Sequence, residues 1–221
     1  MAEYSVFDIM GPVMIGPSSS HTAGAARLSG VARKIVGEPF GKVAFYLHGS
    51  FARTYRGHGT DKALAAGALG LSPDDERLRD SLSLAREQGI EIQFLEADLG
   101  ECHENTVRMD FYTLEHGVFS VTGSSIGGGN ILITELGGYD VEITGTAPTL
   151  IIRQNDQKGV ISEISTVLAQ NNINIAIMKV KRKKRGDEAS TIIETDGEIP
   201  AQVLLQLKSL DNILDVKAVS I

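Results

Sequence analysis

The sequence predicts an α+β protein in two parts. Residues 1–147 read as a mixed α/β unit that ends in an antiparallel meander, and residues 148–221 as a ferredoxin-like βαββαβ unit. Apolar residues first recur at helical spacing, between Leu28 and Leu82. Five short strand-like runs divided by glycines then follow between Ile90 and Ile143. Beyond Pro148 the pattern alternates strand, helix, strand, strand, helix, strand. The chain has 221 residues, 42% of them hydrophobic and 22% charged, enough apolar side chain for a real core.

Leu28, Val31, Ala32, Ile35 and Val36 fall at i, i+3, i+4, i+7 and i+8, one face of a helix that Gly37 stops. Val43 to Leu47 is a short buried strand, and Lys62 to Leu69 a second helix, rich in alanine. Ser72-Pro73-Asp74-Asp75 is a helix-start signal with Ser72 as N-cap and proline at the first helical position; Leu78, Leu82 and Ala85 carry the buried face to Gly89. Strands are expected at 90–95, 106–113, 118–124, 130–136 and 139–143, turned by Gly117, Gly127-Gly128-Gly129 and Gly137-Gly138. Thr144 to Pro148 reads as a linker. The second unit then runs as a strand at 149–154, a helix on Val160, Ile164, Val167 and Leu168, and a strand on Ile173, Ile175 and Ile177. A basic turn follows, then a strand through Thr191 to Ile193, a helix opened by Pro200 and a strand around Leu214, Val216 and Ala218.

Charge is divided between the two parts. Residues 148–221 hold ten basic and nine acidic residues, against eleven and nineteen in residues 1–147, so the first unit carries the whole net charge of -7 and slightly more. An acidic first unit argues against nucleic acid, which demands a basic face. Lys179 to Arg185 is brief and lacks interleaved aromatics, so it is expected to be a solvated hairpin end. No apolar run approaches the roughly 18 residues of a membrane span. Met1-Ala2-Glu3-Tyr4 lacks a basic-then-apolar leader, so no membrane association and a cytoplasmic location are expected. Cys102 is the sole cysteine, which excludes an internal disulfide and a thiolate-rich metal site built from this chain alone.

Two stretches have compositions that no core requires. Gly16-Pro17-Ser18-Ser19-Ser20-His21-Thr22-Ala23-Gly24 places four hydroxyls and an imidazole at the start of the first helix, where unpaired N–H groups and the helix dipole favour an anion. His48 to Asp61 ends in Gly57-His58-Gly59-Thr60-Asp61, again an imidazole and a threonine before a helix. Facing one another, these two starts would cradle a carboxylate between two imidazoles. By contrast His48, His103 and His116 stand singly near strand ends and are expected to be satisfied or exposed. Cys102 has no metal-ligand spacing. The three glycines at 127–129 match no nucleotide fingerprint and read as a tight connection with positive φ.

Ser5-Val6-Phe7-Asp8 with Gly16 to Thr22, Gly49-Ser50-Phe51-Ala52 with Gly57 to Asp61, and Gly127 to Gly129 resemble the β chain of bacterial iron-sulfur L-serine dehydratases. The C-terminal unit resembles an ACT domain, an amino-acid-sensing module. Together the resemblances cover nearly the whole chain. They imply that L-serine loses water and then ammonia to give pyruvate, in serine degradation that feeds gluconeogenesis. They imply a 4Fe-4S cluster held by cysteines of a partner α chain, with no metal ligand in this chain. His58 is implied as the base at the α-carbon, and His21 with Ser18, Ser19, Ser20 and Thr22 as the carboxylate wall beside Gly59 and Thr60; the two histidines can exchange these roles. His103-Glu104-Asn105-Thr106 resembles a third family motif, with Glu104 where the family has proline; Asn105 and Thr106 are its substrate-side residues. Asn155, Asp156, Gly159 and Val160 lie in the loop where ACT domains receive an effector, and self-association through that domain is expected. The other reading is a non-catalytic regulatory subunit that senses an amino acid through the ACT unit.

Overall fold

The computed structural model describes residues 13–115, 117–182 and 184–220. Ser5 to Asp8, Gly11-Pro12, His116 and Lys183 lie outside them. Contacts divide the chain into two compact units, Met1–Gly137 and Gly138–Ile221. The strand expected at 139–143 forms, as Tyr139–Ile143, and by contacts falls after this division.

The first unit opens with a π-helical turn, Ser19–Gly24, that runs straight into helix α1, Ala25–Val36. Strand β1 (Phe40–Leu47), helix α2 (Gly49–Thr54) and helix α3 (Thr60–Leu69) follow. A 3-10 turn at Glu76–Asp80 leads to helix α4, Ser81–Glu87. Then come β2 (Glu91–Glu96), β3 (Thr106–Thr113), β4 (Gly117–Gly127) and β5 (Asn130–Leu136). The strands lie in the order β2-β1-β3-β4-β5. β1 and β2 are parallel, joined by the long crossover through helices that a parallel pair requires, and the rest is an antiparallel meander. Leu28, Val31 and Ile35 of α1 are buried as their spacing predicts, with Leu64 of α3 and Phe45, Met109, Phe111 and Ile133 of the sheet. Gly37 closes α1 in the left-handed region at φ 72°.

Two local readings change. Residues 49–54, given no element by the sequence, form α2. The cap after Gly70 is Asp75, not Ser72: its carboxylate accepts the Arg77 N–H at 2.9 Å and faces the Arg77 guanidinium at 2.6 Å, while the Pro73 carbonyl accepts the Ile15 N–H. The hydrogen bonds from Arg77 bring the Asp75 carboxyl down to about 2.

The second unit comprises β6 (Tyr139–Ile143), β7 (Thr149–Asn155), α5 (Val160–Gln170), β8 (Ile175–Arg182), β9 (Glu188–Thr195), α6 (Ala201–Lys208) and β10 (Ile213–Val219). From β7 onward this is the expected βαββαβ order, with the sheet arranged β10-β7-β9-β8. Val160, Ile164 and Leu168 of α5 and Val203 and Leu207 of α6 pack with Leu150, Ile152, Ile193 and Val216. The basic stretch is not merely a hairpin end. Lys179 to Arg182 belong to β8 and pair with β9, because period-two alternation puts Lys179 and Lys181 on one face, 2.5 and 3.0 Å from Glu142. That carboxylate is pulled to about 2, first by its bond from Lys179. With Ser190 Oγ donating to the Asp140 carbonyl, these contacts tie β6 to the second unit.

Candidate active site

Ser18 caps the π-helical turn from an extended conformation, and its Oγ accepts the His21 N–H at 3.1 Å. The Ser18 carbonyl accepts the Thr22 N–H at 2.9 Å. Both flanking glycines are packing requirements. A Cβ on Gly24 would lie 2.0 Å from Ser125 Oγ on β4, and one on Gly16, at φ 144°, would lie 2.5 Å from the Thr22 side chain. The turn is thereby pressed against the sheet.

The fold brings the two unusual stretches together. The ring centroids of His21 and His58 are 4.8 Å apart, tilted by 55°, and Thr22 Oγ1 donates to the His58 carbonyl at 3.3 Å. His21 Nε2 faces Ser50 Oγ at 3.1 Å, Nδ1 faces Ser18 Oγ at 3.5 Å, and the ring stands edge-on to Phe51. Burial, and then the charge of His58, lower the His21 pKa below 6.5. A histidine whose folded pKa is depressed favours folding above the unfolded value and loses that contribution as pH falls through the folded one. His21 is therefore expected to stay neutral at pH 6.5, and an NMR titration of its ring protons with a midpoint at or above 6.5 contradicts this.

His58 is exposed, and neither of its ring nitrogens bonds a described residue. Its N–H donates to the Thr54 carbonyl at 3.1 Å, and Gly59 takes the left-handed conformation, φ 68°, that turns the chain into α3. The expected open donor at this helix start is partly spent. The Thr60 N–H donates to the Tyr55 carbonyl at 2.8 Å, and its buried hydroxyl has no partner among the described residues. Beside Thr22 and His58 lies a cleft of about 390 Å³ whose rim carries Arg56, Lys62 and Arg79 and, among the described residues, no acidic one. In the turn itself, the Ser19 and Ser20 hydroxyls bond no described residue, whereas those of Ser18 and Thr22 are engaged.

The third motif adjoins through Ser50. The Glu104 carbonyl accepts the Ser50 N–H at 2.7 Å and the Phe51 N–H at 3.4 Å, and its carboxylate pairs with Arg53 at 2.5 Å. Asn105 is held by its N–H to His103 Nδ1 at 3.1 Å and by mutual bonds with the Ser125 backbone, while its buried Oδ1 has no partner among the described residues. The Thr106 hydroxyl is buried and bonded to the His103 carbonyl and to Ser124 Oγ. His48 accepts the Leu99 N–H at 3.1 Å and is satisfied. Sequence reasoning missed Ser50 and Ser125 as site residues. Ser50 stands within the quoted run; Ser125 carries no local signal, because only the sheet brings it to Gly24.

In the second unit a cleft of about 490 Å³ is lined by Asn155, Gln157, Lys158, Gly186, Asp187, Glu188 and Asn212. Asp156 turns its carboxylate instead to the Gly186 N–H and Arg182, bonds that hold its pKa down. Gly159, at φ 95°, and the buried Val160 form the helix start rather than the lining. Among the described residues no group of three or more His, Cys, Asp and Glu is placed to hold a metal ion, and Cys102 is exposed. A thiolate-ligated cluster does not fit this chain by itself. No helix among the described residues is long and apolar enough to cross a membrane.

Comparison with known proteins points the same way as this geometry. The family described as "Serine dehydratase beta chain" matches residues 5–87, and the ACT domain family matches residues 149–212. The chain is 44% identical to a Bacillus subtilis (strain 168) protein named as a probable L-serine dehydratase beta chain, over 98% of either chain. It is 38% identical to an L-serine dehydratase beta chain of Peptoniphilus asaccharolyticus, over 100% of both. A D-3-phosphoglycerate dehydrogenase of Bacillus subtilis (strain 168) is 26% identical over 89% of this chain, which spans 37% of that enzyme.

Proposed function

The chain belongs to the family of L-serine dehydratase beta chains, and from that premise we propose that it supplies the base and the carboxylate site for conversion of L-serine to pyruvate and ammonia. The observation that carries this reading is the convergence of His21 and His58, 4.8 Å apart, from two separate helix starts. Their surroundings divide the roles. His21 has both nitrogens turned to serine hydroxyls, whereas His58 is exposed and its nitrogens are open. His58 takes the α-proton. Ser19 and Ser20 donate to the substrate carboxylate, with His21 polarising that wall and Ser18 and Thr22 bracing it. Asn105 and Thr106 are the substrate-side residues of the third motif. Gly59 and Thr60 set the His58 loop.

A 4Fe-4S cluster on cysteines of a partner alpha chain would supply Lewis acidity to the serine hydroxyl. With the α-proton on His58, the Cα–H pair forms the double bond as hydroxide leaves Cβ. The resulting aminoacrylate tautomerises to an imine, whose hydrolysis releases pyruvate and ammonia. The test is anaerobic reconstitution of this chain with its cysteine-rich partner: pyruvate from L-serine is expected from the pair and from neither chain alone. Turnover by the partner alone overturns the reading.

One observation favours a second reading, in which the chain is a regulatory subunit. Similarity to the dehydrogenase extends over both units, so the same pair of units accompanies a different reaction. In that case turnover persists when both histidines are replaced. The ACT loop is proposed to receive a small amino acid at Asn155 and Gln157, which line its cleft. Added L-serine should shift their backbone amide signals in NMR spectra; unmoved signals at millimolar serine exclude that site. Self-association is proposed through the edge strands β8 and β10 and predicts a dimer or larger species in sedimentation of the isolated chain; a monomer at all concentrations refutes it.

A further inference from the structure

His21 sits on a short turn where Phe51 gives its ring only an edge contact and Ser18 Oγ lies 3.5 Å from Nδ1, too far to hold it firmly. The firm contact is on the other nitrogen, where Ser50 Oγ stands 3.1 Å from Nε2. Ser50 is itself fixed. Its N–H donates to the Glu104 carbonyl at 2.7 Å, and its carbonyl accepts from Thr54 Oγ1 at 2.8 Å. Gly49 before it lies at φ 53°, with the Glu104 backbone where a Cβ would be.

We propose that Ser50 is a positioning residue for His21: its oxygen accepts the proton carried on Nε2 and so sets the rotation and tautomer of the ring. The inference rests on the reading of the site given above. The shorter of the two contacts takes the ring N–H, and Nδ1 is left unprotonated towards Ser18, whose oxygen already accepts the His21 backbone N–H. The Ser50 proton then remains available to a carboxylate lying on the wall. Ser50 thus links the Ser-rich turn to the third motif: its hydroxyl meets His21, and its backbone N–H meets the Glu104 carbonyl beside Asn105.

The test follows the His21 ring by ¹⁵N NMR in the full chain near neutral pH. The expected spectrum has a protonated Nε2 and an unprotonated Nδ1; Ser50→Ala collapses this into tautomer averaging, and Ser50→Thr restores it. In the reconstituted enzyme Ser50→Ala should lower kcat about tenfold or more, the effect of one lost hydrogen bond of about 1.4 kcal/mol, with recovery in Ser50→Thr. Protonation on Nδ1 in the native chain, or His21 signals unchanged in Ser50→Ala, overturns the proposal. The spectra need no partner chain, so failed reconstitution sinks the lyase reading while leaving this one to be judged by NMR.

Discussion

Replacing His58 by glutamine lowers serine turnover by the reconstituted enzyme about 10²–10⁴-fold, the range that one general base contributes. Thermal stability should hardly change. The side chain is exposed, its ring nitrogens bond no described residue, and the contacts that order its loop are made by the backbone: His58 N–H to Thr54 and the His58 carbonyl to Thr22. Glutamine keeps the bulk and the polarity but cannot take up the α-proton. The paired variant His21→Gln behaves differently, because it removes a half-buried ring that contacts Phe51, Ser50 and His58. It should cost stability as well as activity. Turnover by His58→Gln within tenfold of the native enzyme, with normal circular dichroism, removes His58 from the role of base. Loss of the acid limb of the kcat/KM profile in His58→Gln but not in His21→Gln supports the division of labour.

Gly67→Ala lowers the melting temperature by roughly 3–10 °C, from an overpacking cost of about 1–3 kcal/mol in a chain of this size. Gly67 is where α3 crosses α1. A Cβ there would stand 2.1 Å from the Ala26 carbonyl oxygen and 2.7 Å from the Gly30 nitrogen, backbone atoms that cannot rotate away. Alanine is the better helix former by about 1 kcal/mol, which offsets part of the cost without removing the clash. Activity should fall too. α1 follows directly from the turn bearing His21, and α3 begins two residues after His58, so the close crossing is what places the two imidazoles side by side. Gly41→Ala is the control, since nothing lies within 4 Å of its added Cβ. A melting temperature for Gly67→Ala at or above that of the native chain refutes this account of the crossing.

Local pattern carried most of the fold because its causes are local. The stripe from Leu28 to Val36 and the alanine-rich run after Thr60 each state which face must be buried. The alternation of Ile173, Ile175 and Ile177 does not carry through, because the pairing of β8 with β9 shifts register between Ile175 and Ile177 and leaves Ile177 exposed. Where side chains competed for a role the sequence was less clear. Ser72-Pro73 looks as good a cap as Asp75, yet Asp75 prevails because Arg77 supplies both a backbone N–H and a guanidinium. The basic run around Lys181 looked like a solvated turn, since Glu142, which lets its lysines stay in a strand, lies far away in sequence.

For the site, composition alone singled out Ser18 to Thr22 and Gly57 to Asp61, because each puts an imidazole and hydroxyls at a helix start in excess of what one cap needs. Their meeting was decided by the tertiary structure. The crossing at Gly67 sets the distance between the histidines. Ser50 takes one nitrogen of His21, and Thr22 spends its hydroxyl on the His58 carbonyl. Which hydroxyls stay open for a carboxylate, and which imidazole can accept a proton, depend on partners far apart in the chain: Ser50 is 29 residues from His21, and His58 is 36 from Thr22. Residue type limits what chemistry a side chain can do; packing determines which of its atoms remain free to do it.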